Sequence, residues 1–115
     1  MKLFFATLLV GSAALSPFAA QAQSPGIAHM EPPFWWAGMQ HKGLQLMVHG
    51  ERIADLEPSL AYPGVRIASV TRVPSRNYLV IDLEIGQEAR PGKFDIVFKG
   101  AGRQAAYAYQ LLARE

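Results

Sequence analysis

The chain has 115 residues, of which 17% are charged, and its formal net charge is +2. A chain of this length has no room for a (β/α)8 barrel, which takes about 250 residues, and its small charge excess argues against a nucleic-acid partner. The sequence contains no cysteine, so the fold must be stabilised by apolar packing rather than by disulfides.

Residues 1–22 are predicted to be a signal peptide. A single early cation, Lys2, precedes an apolar run over residues 3–15, and an Ala-Gln-Ala sequence ends at Ala22. Small residues at these positions are typical of a cleavage site, here between Ala22 and Gln23. A signal anchor is the alternative, but it would need roughly 18 apolar residues, and Pro17 follows shortly after this shorter run. We therefore expect a periplasmic or secreted product with no membrane attachment after cleavage.

Residues 23–33 are polar, small and interrupted by proline, which predicts an extended lead-in rather than an element of the core. The folded domain is then expected over residues 34–115. Its first clear strand begins at Leu44, because apolar and polar side chains alternate there with a period of two. The residues predicted to face inward are Leu44, Leu46 and Val48.

The rest of the chain predicts further strands in the same way. They fall at residues 59–62, 65–73, 78–85, 94–99 and 105–113, with turns at Pro63-Gly64, Pro91-Gly92 and 100–102. Inward faces are predicted for the side chains Leu79, Ile81, Leu83, Ile85, Phe94, Ile96, Phe98, Tyr107, Tyr109 and Leu111. Short strands with turn signals about 8–12 residues apart predict an all-β fold, a β-sandwich of six to eight short antiparallel strands.

The residue pattern predicts no catalytic, metal or cofactor site. Asp82 and Glu84 could in principle act as a glycosidase pair, but such carboxyl groups flank the scissile bond. Two residues apart on one strand, they should instead lie together on its solvated face. The histidines have no metal-ligand spacing in the sequence; they are His29, His41 and His49.

The aromatic side chains Phe34, Trp35 and Trp36 are the best candidates for binding. An exposed indole could stack on the flat face of a sugar ring. Adjacent residues on an extended segment point to opposite sides, however, so one surface can hold only one of the two indoles. The alternative is that one tryptophan closes the end of the sandwich while the other docks on a partner.

Several segments together resemble the N-terminal domain of cyclomaltodextrinases, neopullulanases and related secreted α-glucan hydrolases of the α-amylase superfamily. They are Glu-Pro-Pro-Phe-Trp-Trp-Ala-Gly-Met at residues 31–39, Leu-Gln-Leu-Met-Val-His-Gly at 44–50, Tyr-Pro-Gly-Val at 62–65, Asn-Tyr-Leu at 77–79, Pro-Gly-Lys-Phe at 91–94 and Tyr-Gln-Leu-Leu-Ala-Arg at 109–114. The resemblance implies that the sandwich is immunoglobulin-like.

It also implies a non-catalytic accessory domain, because the family carries its catalytic carboxylates on a following (β/α)8 barrel. The expected partners are that barrel, an α-glucan or a second subunit, and no activity is expected from the chain alone. One alternative is a free-standing starch- or maltodextrin-binding module that uses Trp35 or Trp36. A second alternative is a structural domain that binds a protein ligand at a sheet edge.

Overall fold

The computed structural model describes residues 27–114, in which eight strands follow one another with short connections. The strands are β1 (His29–Glu31), β2 (Trp35–Trp36), β3 (Gly43–His49), β4 (Glu57–Ser59), β5 (Val65–Arg72), β6 (Tyr78–Ile85), β7 (Gly92–Gly100) and β8 (Arg103–Leu112), with a 3-10 turn (Ile53–Asp55) between β3 and β4. Within this range no helix is long and apolar enough to cross a bilayer. The predicted signal peptide, with its cleavage site between Ala22 and Gln23, lies outside the described residues.

The strands form two four-stranded sheets, in the orders β1-β3-β6-β5 and β2-β8-β7-β4. In a constant-type immunoglobulin domain, strands A, B, E and D form one sheet and C, F and G form the other. The observed division is the same, with β2 added beside the last strand. The predicted immunoglobulin-like β-sandwich is therefore confirmed. Neighbouring strands in the described residues are antiparallel with one exception, since β2 runs parallel to β8.

The core lies between the sheets, and most of it consists of side chains that the period-two pattern placed inward. Strand β6 alternates strictly between buried and half-buried residues along its length. Its buried face meets the buried faces of β3, β7 and β8; these core side chains include Leu44, Leu46, Val48, Leu79, Ile81, Leu83, Phe94, Ile96, Phe98, Tyr109 and Leu111. Tyr107 packs against this cluster and is partly buried. Burial of each such side chain contributes about 1.5–3 kcal/mol, which is how a sandwich without disulfides is stabilised.

The lead-in prediction for residues 23–33 is wrong where the structure describes a strand. Residues His29–Glu31 form β1 and pair with β3. The side chain of Met30 is only 1% exposed and belongs to the core. A three-residue strand with one apolar position is too short to show a period of two. The polar residues on either side of Met30 therefore gave no indication of a strand.

The short strand predicted at residues 59–62 lies closer to the N-terminus in the structure, where β4 covers Glu57–Ser59. It pairs only with β7, so it is an edge strand and can contain Pro58. Proline has no N–H to donate, and an edge position does not require one. Tyr62 makes only an isolated bridge to Val65, across the predicted turn at Pro63-Gly64.

Candidate functional site

The two tryptophans of β2 are both half-buried, and one of them packs against the core. In the register with β8, Trp35 is opposite Leu111 and Trp36 is opposite Leu112. Leu111 is buried, and Trp35 packs against the core on the same side. Trp36 is also half-buried, and its indole lies beside that of Trp35, at 5.5 Å between ring centroids. Of the two indoles, that of Trp35 therefore contributes to the core.

Phe34, Trp36 and Leu112 form what we call the aromatic edge. The rings of Phe34 and Trp36 are 5.6 Å apart between centroids, at 78° to each other. The indoles of Trp35 and Trp36 are 5.5 Å apart, at 61°. Both pairs have the edge-to-face geometry that aromatic rings favour. The two rings of the aromatic edge are thus strongly tilted to each other.

The fold fixes the segment that carries the aromatic edge on both sides. The buried hydroxyl of Tyr109, on β8, donates a hydrogen bond to the Pro32 carbonyl at 2.9 Å. After the tryptophans, the Ala37 N–H donates to the Leu112 carbonyl at 2.9 Å. Burial raises the pKa of Tyr109 above its ordinary range, so the hydroxyl stays protonated and remains a donor. The hydrogen bonds on both sides therefore fix the position of the aromatic edge in the folded domain.

We expect Tyr109→Phe to lower the free energy of unfolding by about 1–2 kcal/mol, because the Pro32 carbonyl would lose its buried donor. Tyr78→Phe is the matched control, since Tyr78 is half-buried and its ring stacks on His49 at the surface of the other sheet. We expect a change of less than about 0.5 kcal/mol for that variant. Urea denaturation followed by circular dichroism measures both. Equal losses would show that the Tyr109 hydroxyl does not anchor the segment.

Asp82 and Glu84 lie on the outer face of β6, as their spacing predicted, and each interacts with neighbouring strands. Asp82 accepts hydrogen bonds from the Gln45 side-chain amide at 3.0 Å and the Ser69 hydroxyl at 2.9 Å. Glu84 forms an ion pair with Arg66 at 2.9 Å. These carboxylates connect strands across the surface of one sheet, whereas a glycosidase pair has to flank its substrate from two sides.

Arg72 and Arg76 form ion pairs with acidic residues at and after the 3-10 turn. Arg72 pairs with Glu57 at 2.8 Å and also donates to the carbonyl oxygens of Ala54 and Leu56. Arg76 pairs with Asp55 at 2.7 Å, and its hydrogen bonds hold the pKa of Asp55 below its ordinary range, with a smaller contribution from Arg52. These arginines therefore connect the 3-10 turn to the β1-β3-β6-β5 sheet.

The register of β1 and β3 brings two of the three histidines together. His29 is directly opposite His49, whereas His41 precedes β3 at its other end. Residues 27–114 contain no group of three or more histidine, cysteine, aspartate or glutamate side chains that could hold a metal ion. The histidine pair could not be found from spacing in the sequence, because it depends on strand register.

Two comparisons with known proteins bear on the chain. A family model described as "Cyclomaltodextrinase, N-terminal" matches residues 29–115, which include all eight strands and the aromatic edge. Among solved structures, a chimeric titin Z1Z2-Z1Z2 tandem functionalised with a GRGDS peptide from fibronectin is 15% identical, with a TM-score of 0.46 over 93% of this chain. The match covers 55% of the length of that titin tandem.

Proposed function

The chain belongs to the family of cyclomaltodextrinase N-terminal domains, and we propose that it is a non-catalytic accessory domain of an exported α-glucan hydrolase. In this proposal it docks on a catalytic (β/α)8 barrel, in its own enzyme or in a neighbouring subunit. One observation carries the proposal: Trp35 packs against the core, while the exposed ring of Phe34 and the half-buried indole of Trp36 lie edge to face beside it.

The size of the aromatic edge makes it suitable for protein docking. Phe34 is 40% exposed, and Trp36 is half-buried. Large aromatic side chains present about 150–250 Å² each, and burial of apolar surface contributes about 25 cal/mol per Å². Covering the exposed parts of these rings would therefore contribute on the order of a few kcal/mol. Tryptophan is also among the residues that dominate the energy of protein interfaces.

The proposal assigns catalysis to the barrel. Asp82 and Glu84 are engaged by Gln45, Ser69 and Arg66 on an open sheet face, which supports a structural role for both carboxylates. The chain alone is expected to release no reducing sugar from β-cyclodextrin or pullulan. Export through the signal peptide predicted over residues 1–22 is part of the same proposal, and would place the domain in the periplasm or outside the cell.

A second candidate function is direct binding of a starch-like glucan by Trp36. The partial exposure of this indole favours it, because a sugar ring can stack on an open aromatic face. Two neighbouring rings already lie within 6 Å of Trp36 and are strongly tilted to it. They take up part of the indole surface, which favours docking of a protein groove over stacking of a flat sugar.

Docking is tested by titrating the chain into the catalytic domain of a cyclomaltodextrinase that has been prepared without its own N-terminal domain. We expect saturable binding in a calorimeter. Replacing Phe34 and Trp36 together with serine should weaken it at least about tenfold, which corresponds to about 1.4 kcal/mol. Met47→Ser is the matched control, because Met47 is 49% exposed and lies on the other sheet.

The Met47→Ser variant is expected to bind like the unaltered chain. Thermal unfolding of every variant checks that each is folded at the temperature of the titration. If the Met47 and aromatic-edge variants lose affinity equally, the aromatic edge is not the docking surface. If the unaltered chain does not bind the catalytic domain, the docking proposal itself is wrong.

A further inference from the structure

Strand β7 has a free edge over its first half. One side of β7 pairs with β8 along the whole strand, whereas on the other side β4 pairs with it only from Val97 to Lys99. After Ser59 the chain separates from the strand, and a groove of about 460 Å³ lies between residues 59–62 and β7. From the groups along this free edge we propose that β7 pairs with β7 of a second copy of the chain.

The hairpin between β7 and β8 determines which backbone groups point to the free edge. Its loop consists of residues 101 and 102, both with positive φ, so the flanking residues Gly100 and Arg103 form a hydrogen-bonded pair. Such pairs alternate along an antiparallel ladder with pairs that are not hydrogen-bonded. Counting back from Gly100, the N–H and C=O of Lys93 and Asp95 therefore point away from β8. Within residues 27–114 no backbone hydrogen bond reaches them from the side of β4.

The side chains of Lys93 and Asp95 make this edge complementary to itself. Both are exposed on the same outer face of β7, and neither forms an ion pair in the part of the chain that the structure describes. A twofold axis between the Phe94 residues of two copies would place Lys93 of each copy opposite Asp95 of the other. Opposite charges stabilise such cross-strand pairs. A lysine alone would deter edge pairing, but here a carboxylate would face it.

The same register would satisfy the backbone of the free edge. Each pair of Lys93 with Asp95 of the other copy would exchange both of its N–H···O hydrogen bonds. Because β7 begins at Gly92, β4 of the second copy would lie beyond the N-terminal end of the strand. Self-pairing does not depend on the docking proposal, since the aromatic edge is carried by β2, at the opposite edge of the same sheet.

Amide hydrogen exchange of the full chain, followed by NMR at rising protein concentration, tests the pairing directly. We expect the amides of Lys93 and Asp95 to become protected over the concentrations at which sedimentation velocity shows a dimer. The amides of Phe94 and Ile96 are the internal control, because they already pair with β8 and should be protected at every concentration. Rapid exchange at Lys93 and Asp95 at every concentration would overturn the proposal. Protection of these amides in the monomer would also overturn it, because the edge would then be covered within one chain.

Charge reversal tests the register. Lys93→Asp should weaken association at least about tenfold, because it places two carboxylates opposite each other. Adding Asp95→Lys restores opposite charges and should recover most of the affinity. Lys42→Asp is the matched control at an exposed residue before β3, and it should leave association unchanged.

The proposal is wrong if Lys93→Asp does not weaken association, or if the double variant does not recover it. Protection of the Lys93 and Asp95 amides only after the catalytic domain of a cyclomaltodextrinase is added would also overturn self-pairing. That result would assign the free edge of β7 to a strand of the catalytic domain.

Discussion

Replacing Trp35 with alanine should lower the free energy of unfolding by about 2–3 kcal/mol, while Trp36→Ala should lower it by less than about 1 kcal/mol. The two residues are neighbours of the same type, but Trp35 packs against the core beside Leu111, whereas the Trp36 indole contacts the rings of Phe34 and Trp35. A fully buried tryptophan costs about 3–5 kcal/mol to truncate. Trp35 is only partly buried, which places its expected cost below that range.

Urea denaturation followed by far-ultraviolet circular dichroism measures both variants without relying on the fluorescence that they remove. Comparing the two variants shows which indole stabilises the fold, separately from the question of which indole binds a partner. If both variants lose the same stability, Trp36 also contributes to the fold, and the division of roles on β2 is incorrect. A larger loss for Trp36→Ala would reverse the two assignments.

Gly64→Ala should destabilise the fold by about 2–5 kcal/mol, because strain in the turn adds to a clash with backbone atoms. Gly64 has φ +86°, and a Cβ there would lie 2.8 Å from the backbone N and Cα of Ala89. Neither segment can easily move away. The Gly64 carbonyl accepts from the Gly86 N–H at 2.7 Å, and the Ala89 N–H donates to the Gly86 carbonyl at 3.1 Å.

Gly38→Ala is the matched control for this prediction. Gly38 has a similar φ of +78°, but a Cβ there would meet nothing within 4 Å. We therefore expect only the cost of a left-handed conformation, about 1–2 kcal/mol. Thermal or urea unfolding gives the difference between the variants, which isolates the contact with Ala89. The close packing of the turn against Ala89 would be refuted by equal losses.

The parts of the fold that could be predicted from sequence are those that depend on the residue pattern of a single strand. The buried face of β6 and the inward position of Phe94 follow from a period of two. Each of these inferences needs only the order of neighbouring residues.

The features that could not be predicted depend on which strands pair and in which register. The pairing of His29 with His49 joins residues from two strands with β2 between them in the chain. The attachment of Pro32 to Tyr109 likewise joins residues far apart in the chain through one side chain. Periodicity shows which face of a strand is buried, but it does not identify the strand that pairs with it, because turn geometry also sets the register.

The chain has two tryptophans, so a Trp35→Phe variant would leave Trp36 as its sole indole and make its fluorescence report directly on the aromatic edge. The most direct test is to record that emission while adding the catalytic domain of a cyclomaltodextrinase without its own N-terminal domain, and separately while adding maltoheptaose. Docking predicts a saturable blue shift with the catalytic domain and no saturable change with maltoheptaose. A saturable change with maltoheptaose, and none with the catalytic domain, would contradict the docking account and identify a glucan-binding module instead.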